Sequence, residues 1–376
     1  MSQSIRSLTS LLFLVVFALP MMASAGEWQL NMTEGATSLS REIFGLHMLI
    51  FYICCIIGVV VFGAMFISMF YHRKSRGAKA SNFHESVFLE VLWTAIPFAI
   101  LVGMAFPATT TLLKMYDASD ADIEIQVTGY QWKWKYEYSE SGVSFFSTLS
   151  TPAEQISGEE PKGEHYLLEV DEPLVIPVGK KVRFIVTAAD VIHSWWVPDL
   201  AVKRDAIPGY FNEAWTKVDV PGVYRGQCAE LCGKDHGFMP IEVHAVEQAE
   251  YDAWLAERLA KAIAIDEAAK QTLTLDQLLT EGDSVYTTYC ATCHQVDGKG
   301  NGVFPAIAGS PIANGESDIS EHFNRVLKGG GMMPPFGEQL TPVQVAAVIT
   351  YQRNAFGNNT GDVVQPLDVV NFKQGQ

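Results

Sequence analysis

The chain has 376 residues, enough for two or three domains, with a formal net charge of −16 and 11% aromatic residues. So acidic a chain is a poor fit to nucleic acid, whose phosphates call for Lys and Arg. It suits a basic protein partner, met under electrostatic steering that salt weakens. Mean hydropathy is nevertheless positive, so the apolar residues are gathered in blocks. Six cysteines occur: Cys54 and Cys55 adjacent in an apolar run, then the spaced pairs Cys228/Cys232 and Cys290/Cys293. The spaced pairs read as cofactor chemistry and not as a disulfide scaffold.

Residues 1–25 read as a secretory signal: Arg6 precedes the apolar run Leu11–Leu19, and Ala23-Ser24-Ala25 is a small-x-small cleavage site. An uncleaved extra helix is the other reading, although the run is short for a span. No cysteine follows the site, so a lipoprotein anchor is not indicated. Residues 26–117 are expected to form a transmembrane hairpin, with spans at about 43–71 and 87–113. Each exceeds the ~20 apolar residues a span needs. Between them lies a basic loop, His72-Arg73-Lys74-Ser75-Arg76-Gly77-Ala78-Lys79. Positive residues stay cytoplasmic, so the hairpin turns inside and both ends emerge outside. His47, Cys54 and Cys55 read as lipid- or helix-facing residues without chemistry. Glu90, the one acid in the second span, is either a functional carboxyl or one that snorkels to the interface.

From residue 118 the pattern becomes short alternating runs. Ile123–Val127 and Trp132–Tyr138 alternate, and Leu167–Val170, Leu174–Pro177, Val182–Val186 and Ile241–Val246 continue the series. Residues 118–246 are therefore expected to form a β-sandwich or barrel, with a loop over Gly142–Gly163. Trp132 reads as a core aromatic in such a fold. Within this domain, Gln227–Pro240 holds two thiols, an imidazole and a thioether: Cys228, Cys232, His236 and Met239. Soft sulfur ligands select copper. A structural zinc site or a Cys228–Cys232 disulfide are the competing readings. Zinc does not need Met239, and a disulfide needs no histidine. The loop is not a closed cage, and His193, in Ala189–Trp196, is the best outside partner. Asp190 either orients His193 or caps a turn.

Residues 247–280 read as a helical linker with a solvated face. A small domain at 281–358 carries Cys290-Ala291-Thr292-Cys293-His294, the attachment signature of a c-type haem. Two thiols on one helical turn can form thioethers to both haem vinyls, and His294 is then directed at the iron. A second axial ligand comes from Met332 or Met333, with Met333 preferred because it directly precedes Pro334. His322 is a rival for that place, but reads first as a lone surface histidine. Thr341 and Pro342 open a helix over Val343–Asn354. Residues 359–376 are expected to be a loose tail.

Together these motifs resemble cytochrome c oxidase subunit II with a fused C-terminal cytochrome c, the caa3-type arrangement. The resemblance covers nearly the whole mature chain. It implies three parts: a two-helix transmembrane hairpin, a cupredoxin-like β-sandwich and an all-α c-type cytochrome domain. It implies a dinuclear copper A centre bridged by Cys228 and Cys232, with His193, His236 and Met239 as further side-chain ligands. Glu230 would ligate through its backbone carbonyl and turn its carboxylate to a Mg ion shared with subunit I. One haem c would be held by Cys290 and Cys293, with His294 and Met333 as axial ligands. Leu89–Pro97 resembles the second helix of the family, where the residue matching Glu90 lies at the entrance of a proton pathway. The residue matching Trp132 is a surface electron port, and the family commonly has His where this chain has Tyr130. Asp205 matches a segment packed near subunit I. The implied activity is electron relay from cytochrome c, or a similar periplasmic carrier, to subunit I, where oxygen is reduced to water and protons are pumped. Partners would be oxidase subunits I and III and membrane lipid, in a bacterial plasma membrane with the copper and haem domains outside. A relay serving nitric-oxide or nitrous-oxide reduction is the alternative. A quinol-oxidase-like subunit would lack the copper ligands, and a copper chaperone would have no use for a covalent haem.

Overall fold

A computed structural model describes residues 31–79 and 84–375; the expected signal segment lies outside the described residues. Two long helices come first, α1 (Ser38–Tyr71) and α2 (Val87–Tyr116). Both are long and apolar enough to cross a membrane. Phe62, Phe66, Phe98 and Phe106 stand exposed along them, so lipid or another subunit must cover them. Helix α1 starts before its apolar run because Thr37 and Ser40 form a capping box: the Thr37 hydroxyl accepts from the Ser40 N–H at 2.8 Å, and Ser40 Oγ accepts from the Thr37 N–H at 2.9 Å. Glu42 then ties the two helices together, accepting from Thr111 Oγ1 at 2.9 Å and pairing with Lys114 at 2.7 Å.

The middle of the chain is a sandwich of two five-stranded sheets, ordered β3-β2-β1-β5-β8 and β4-β10-β9-β6-β7. The first sheet holds β1 (Ile123–Tyr130), β2 (Lys133–Tyr138), β3 (Ser144–Ser147), β5 (Val182–Ala188) and β8 (Asn212–Thr216). The second holds β4 (Leu174–Pro177), β6 (His193–Val197), β7 (Val202–Ala206), β9 (Gly222–Cys228) and β10 (Pro240–Val246). Alternation in β2 sends Trp134, Tyr136 and Tyr138 into the core and leaves Lys133, Lys135 and Glu137 outside. The buried aromatics keep their polar ends paired: Tyr138 donates to the Val175 carbonyl at 2.6 Å and Trp195 Nε1 donates to Tyr136 at 3.2 Å. The strand expected at Leu167–Val170 does not form. Leu167 has φ +61°, which breaks an extended run, and only Val170 makes an isolated bridge, to Leu149. The expected loop Gly142–Gly163 is not all loop: β3 lies within it, paired to β2, and a short helix, α3 (Ala153–Ser157), follows.

The linker is a helix, α4 (Gln248–Ala269), and one flank of it is docked. Tyr251, Trp254 and Leu255 pack on the sandwich core, with Trp254 5.2 Å from Tyr138 between ring centroids. Arg258 pairs with Glu172 and covers the Phe145 ring. Five further helices build the last domain: α5 (Leu275–Tyr289), α6 (Ala291–His294), α7 (Ile319–Lys328), α8 (Pro342–Asn354) and α9 (Pro366–Gln374). The stretch Leu273–Leu279, grouped with the linker by sequence, opens α5, and Leu278 is fully buried in this domain's core. The tail is not loose. Gln365 hydrogen-bonds both the N–H and the carbonyl of Leu273, at 2.9 and 3.0 Å, and anchors α9. Val364 and Val369 are buried, and Phe372 stacks on Phe323 at 4.8 Å. This long-range tie gives a polar nine-residue segment its reason to fold.

Candidate metal centre and haem site

Antiparallel pairing of β6 with β9 sets Trp195 opposite Cys228, bringing His193 and Cys228 to one end of the sheet. The turn from β9 to β10 returns Cys232, His236 and Met239 to the same point. Cys228 Sγ lies 3.8 Å from Cys232 Sγ and 4.0 Å from His193 Nδ1. Cys232 Sγ lies 3.4 Å from His236 Nδ1 and 3.5 Å from Met239 Sδ. His193, both cysteines and Met239 are buried. The two sulfurs are far beyond the ~2.05 Å of a disulfide, and both thiols are free. His193 and the two thiols lie mutually close, and a second imidazole and a thioether join them at Cys232, a donor set that fits soft-metal ligation. Met239 belongs to the cluster, which a zinc site would not require. The Glu230 carbonyl accepts from Cys228 Sγ at 3.3 Å, while the residue itself is exposed.

Asp190 does both things proposed for it. Its Oδ1 meets His193 Nε2 at 2.9 Å, which turns Nδ1 toward the sulfurs. It also accepts backbone N–H groups from Val191 at 2.6 Å and Gln131 at 2.7 Å. Burial opposes charge on His193, but the bond to Asp190 and the neighbouring Cys228 outweigh it and raise its pKa to about 9. Burial likewise opposes ionisation of Cys228, yet His193 and nearby backbone groups bring it down to about 7. Cys232 is then pushed up to about 12 by burial and by the first thiolate. The two thiols are thus pushed in opposite directions, Cys228 toward the thiolate and Cys232 away from it. Gly129 leaves room for the His193 ring: a Cβ there would sit 2.8 Å from His193 Cδ2. Trp132 is half-buried against the loop, its Nε1 donating to the Cys232 carbonyl at 3.2 Å; Gln131 donates to the same carbonyl at 2.8 Å.

The attachment motif straddles α5 and α6, and its residues open into a separate cavity of about 420 Å³ lined by Cys290, Cys293, His294, Ile307, Val326 and Met333, among others. His294 Nδ1 lies 2.8 Å from the Pro305 carbonyl, which fixes the ring tautomer and leaves Nε2 for a ligand. The cavity is mostly apolar and carries its two thiols and its imidazole together, so the residues present fit a covalently held porphyrin. Met332 and Met333 both border it, but Met332 is 68% exposed and Met333 is half-buried. His322 is a correction: it is buried and lines the cavity. Its Nε2 meets Gln352 Oε1 at 2.7 Å, its Nδ1 has no partner, and burial pushes its pKa down to about 4. The charged neighbours Glu321 and Arg325 disguise it. The signal that finds it is the apolar stripe it shares with Phe323, Val326 and Leu327 on α7. Glu90 is not near either site: it lies in the first turn of α2, exposed within the chain. Asp205 sits on β7 opposite Ser194.

A membrane-anchored β-sandwich with a buried sulfur-imidazole cluster, joined to a helical c-type cytochrome domain, is the class these features define. Residues 123–246 match the family described as cytochrome C oxidase subunit II, periplasmic domain, and residues 25–110 match its transmembrane domain. Residues 277–351 match the family described as cytochrome C oxidase, cbb3-type, subunit III. The chain is 38% identical over 241 residues to cytochrome c oxidase subunit 2 of Cyanidium caldarium, covering 63% of this chain and 93% of the relative. It is 36% identical over 255 residues to the probable cytochrome c oxidase subunit 2 of Rickettsia bellii, covering 67% and 93%. Among solved structures, it is 42% identical to the periplasmic domain of subunit II of cytochrome oxidase of Bradyrhizobium japonicum, with a TM-score of 0.35, covering 38% of this chain and 98% of that one. The chain belongs to the cytochrome c oxidase subunit II family, and it carries a cytochrome c domain fused at its C-terminal side. Copper A and haem are the cofactors that these two domains imply.

Proposed function

We propose that this chain is subunit II of a proton-pumping cytochrome c oxidase and relays electrons from cytochrome c, through its own haem and copper A, to the oxygen-reducing subunit I. Bound there, the haem and the copper pair supply outer-sphere electron transfer with little change in geometry. Cys228, Cys232, His193, His236, Met239 and the Glu230 carbonyl would hold the copper. Asp190 holds the His193 ring in register, and the buried sheet end keeps water away. Cys290 and Cys293 would tether the haem, and His294 and Met333 would hold its iron. The Glu230 carboxylate takes a Mg ion shared with subunit I, Trp132 is the electron port above the copper loop, and Glu90 guards a proton pathway. Subunit III and membrane lipid complete the surroundings. The hairpin turns in the cytoplasm and both metal-bearing domains face outward.

The observation that carries this reading is the mutual closeness of His193, Cys228 and Cys232, buried together, with His236 and Met239 both in contact with the Cys232 sulfur. The test is spectroscopic and functional. The purified complex is expected to show a near-infrared copper band and a c-type haem band, and to consume oxygen with reduced cytochrome c. Cys228→Ser is expected to abolish the copper band and oxygen uptake while the haem band stays. A variant that keeps its copper band removes Cys228 from the site. Uptake of nitrous or nitric oxide in place of oxygen would move the chain to the alternative relay.

A further inference from the structure

The haem domain rests on the copper domain beside Trp132. Lys133 and Lys135 are the outward residues of β2 that follow it, because alternation sends Trp134 and Tyr136 inward. Lys135 is only 16% exposed, and its amine lies 3.0 Å from Glu338 and 3.3 Å from Glu137. Lys133 donates to Gln339 at 2.7 Å and stands 4.3 Å over the Phe146 ring. Tyr130, at the end of β1, reaches Glu338 at 3.5 Å. Glu338 and Gln339 come five and six residues after Met333, in the same loop. That loop is braced from within its own domain. The N–H groups of Phe336 and Gly337 bond the Val326 and Leu327 carbonyls at 3.0 and 3.1 Å, and Lys373 on α9 reaches the Gly337 carbonyl.

We propose that Lys135 and Glu338, flanked by Lys133 and Gln339, are a docking clamp that seats the haem domain on the copper domain of the same chain in its electron-transferring position. The partner this surface fits is thus the tethered cytochrome. One short loop supplies both the candidate iron ligand and the acidic contact, and one short strand supplies both the lysines and the neighbour of Trp132. Few bonds separate the clamp from either site, so it fixes the approach of the two. A half-desolvated Lys135 facing the Glu338 carboxylate, beside the Lys133 bond to the Gln339 amide, gives register as well as attraction, and the tether keeps the effective concentration of the partner high. The proposal rests on the relay reading above.

The test uses the full protein with both bands present. The haem is reduced by a light flash, and reduction of copper is followed in the near infrared. Glu338→Lys and, separately, Lys135→Glu are expected to slow haem-to-copper transfer about tenfold. The double exchange is expected to return the rate to within about threefold of the native one, because it restores the pair. High salt is expected to slow the native protein more than either single variant. Glu338 is 61% exposed, so its substitution tests the clamp even if Lys135→Glu disturbs the strand. Native rates in Glu338→Lys with both bands intact would overturn the clamp and leave the relay standing. A native protein with both bands but no transfer between them would overturn the relay, and the clamp with it.

Discussion

Met332 and Met333 differ by one position, and the sequence separates them only through the proline that follows. Exposure separates them further: Met332 is 68% exposed while Met333 lies at the cavity wall. Gly330 and Met333 exchange two backbone hydrogen bonds, at 2.9 and 3.2 Å, which closes a tight turn and sets Met333 inward. Met333→Leu is expected to lower the haem potential by on the order of 100 mV, because thioether ligation favours the reduced iron. Met332→Leu is expected to leave it unchanged. Redox titration of the two variants decides between them, and the reverse result assigns the ligand to Met332. At this scale the cluster residues were legible because their chemistry is local: five residues of three types, His, Cys and Met, with one shared preference fall within two short segments. His322 was not legible, because its role depends on which face of α7 meets the cavity, a tertiary fact.

Elements were legible where period and punctuation agree. The hairpin, β2 and the Thr341-capped helix all follow from short-range pattern, and α8 begins at Pro342 with Thr341 accepting from Gln344 at 3.2 Å. Strands β6 to β9 are short and carry ligands or polar residues, so alternation is weak there. The strand expected at Leu167–Val170 failed because a run of apolar residues says nothing about the backbone turn inside it. Helix α9 was missed because its anchor is Gln365, ninety-two positions from Leu273. Contact between α5 and α8 rests on Gly282, another feature invisible to pattern: a Cβ there would lie 2.3 Å from the Ala347 carbonyl. The two helix backbones touch, and a methyl group must push them apart. Gly282→Ala is therefore expected to destabilise the haem domain by about 2 kcal/mol, the usual cost of overpacking, despite the better helix propensity of Ala. Thermal unfolding followed at the haem band measures it. A variant as stable as the native protein would mean that the helices can separate freely.

At the scale of the whole molecule, charge and connection decide which side of the membrane the metals occupy. The sandwich is bound to the hairpin at one end only. Ala36 donates to the Asp199 carbonyl at 2.8 Å and accepts from the Asp219 N–H at 3.1 Å, while Trp215 Nε1 reaches the Lys114 carbonyl at 3.0 Å. Arg41 pairs with Asp219 at the same level. The far end of both helices carries Arg73, Lys74, Arg76 and Lys79 in the turn between them. By the positive-inside rule this basic turn is expected on the cytoplasmic side and the sandwich on the opposite one. Each such residue is worth ~1 kcal/mol at an anionic leaflet, so four together set the orientation strongly. Protease added to intact spheroplasts is expected to release the haem domain and to spare a cleavage site placed beside Gly77. Replacing the four basic residues with neutral ones is expected to expose that site in a measurable fraction of chains. Cleavage beside Gly77 in the native background would put the copper and haem domains in the cytoplasm, where no exported cytochrome could reach them.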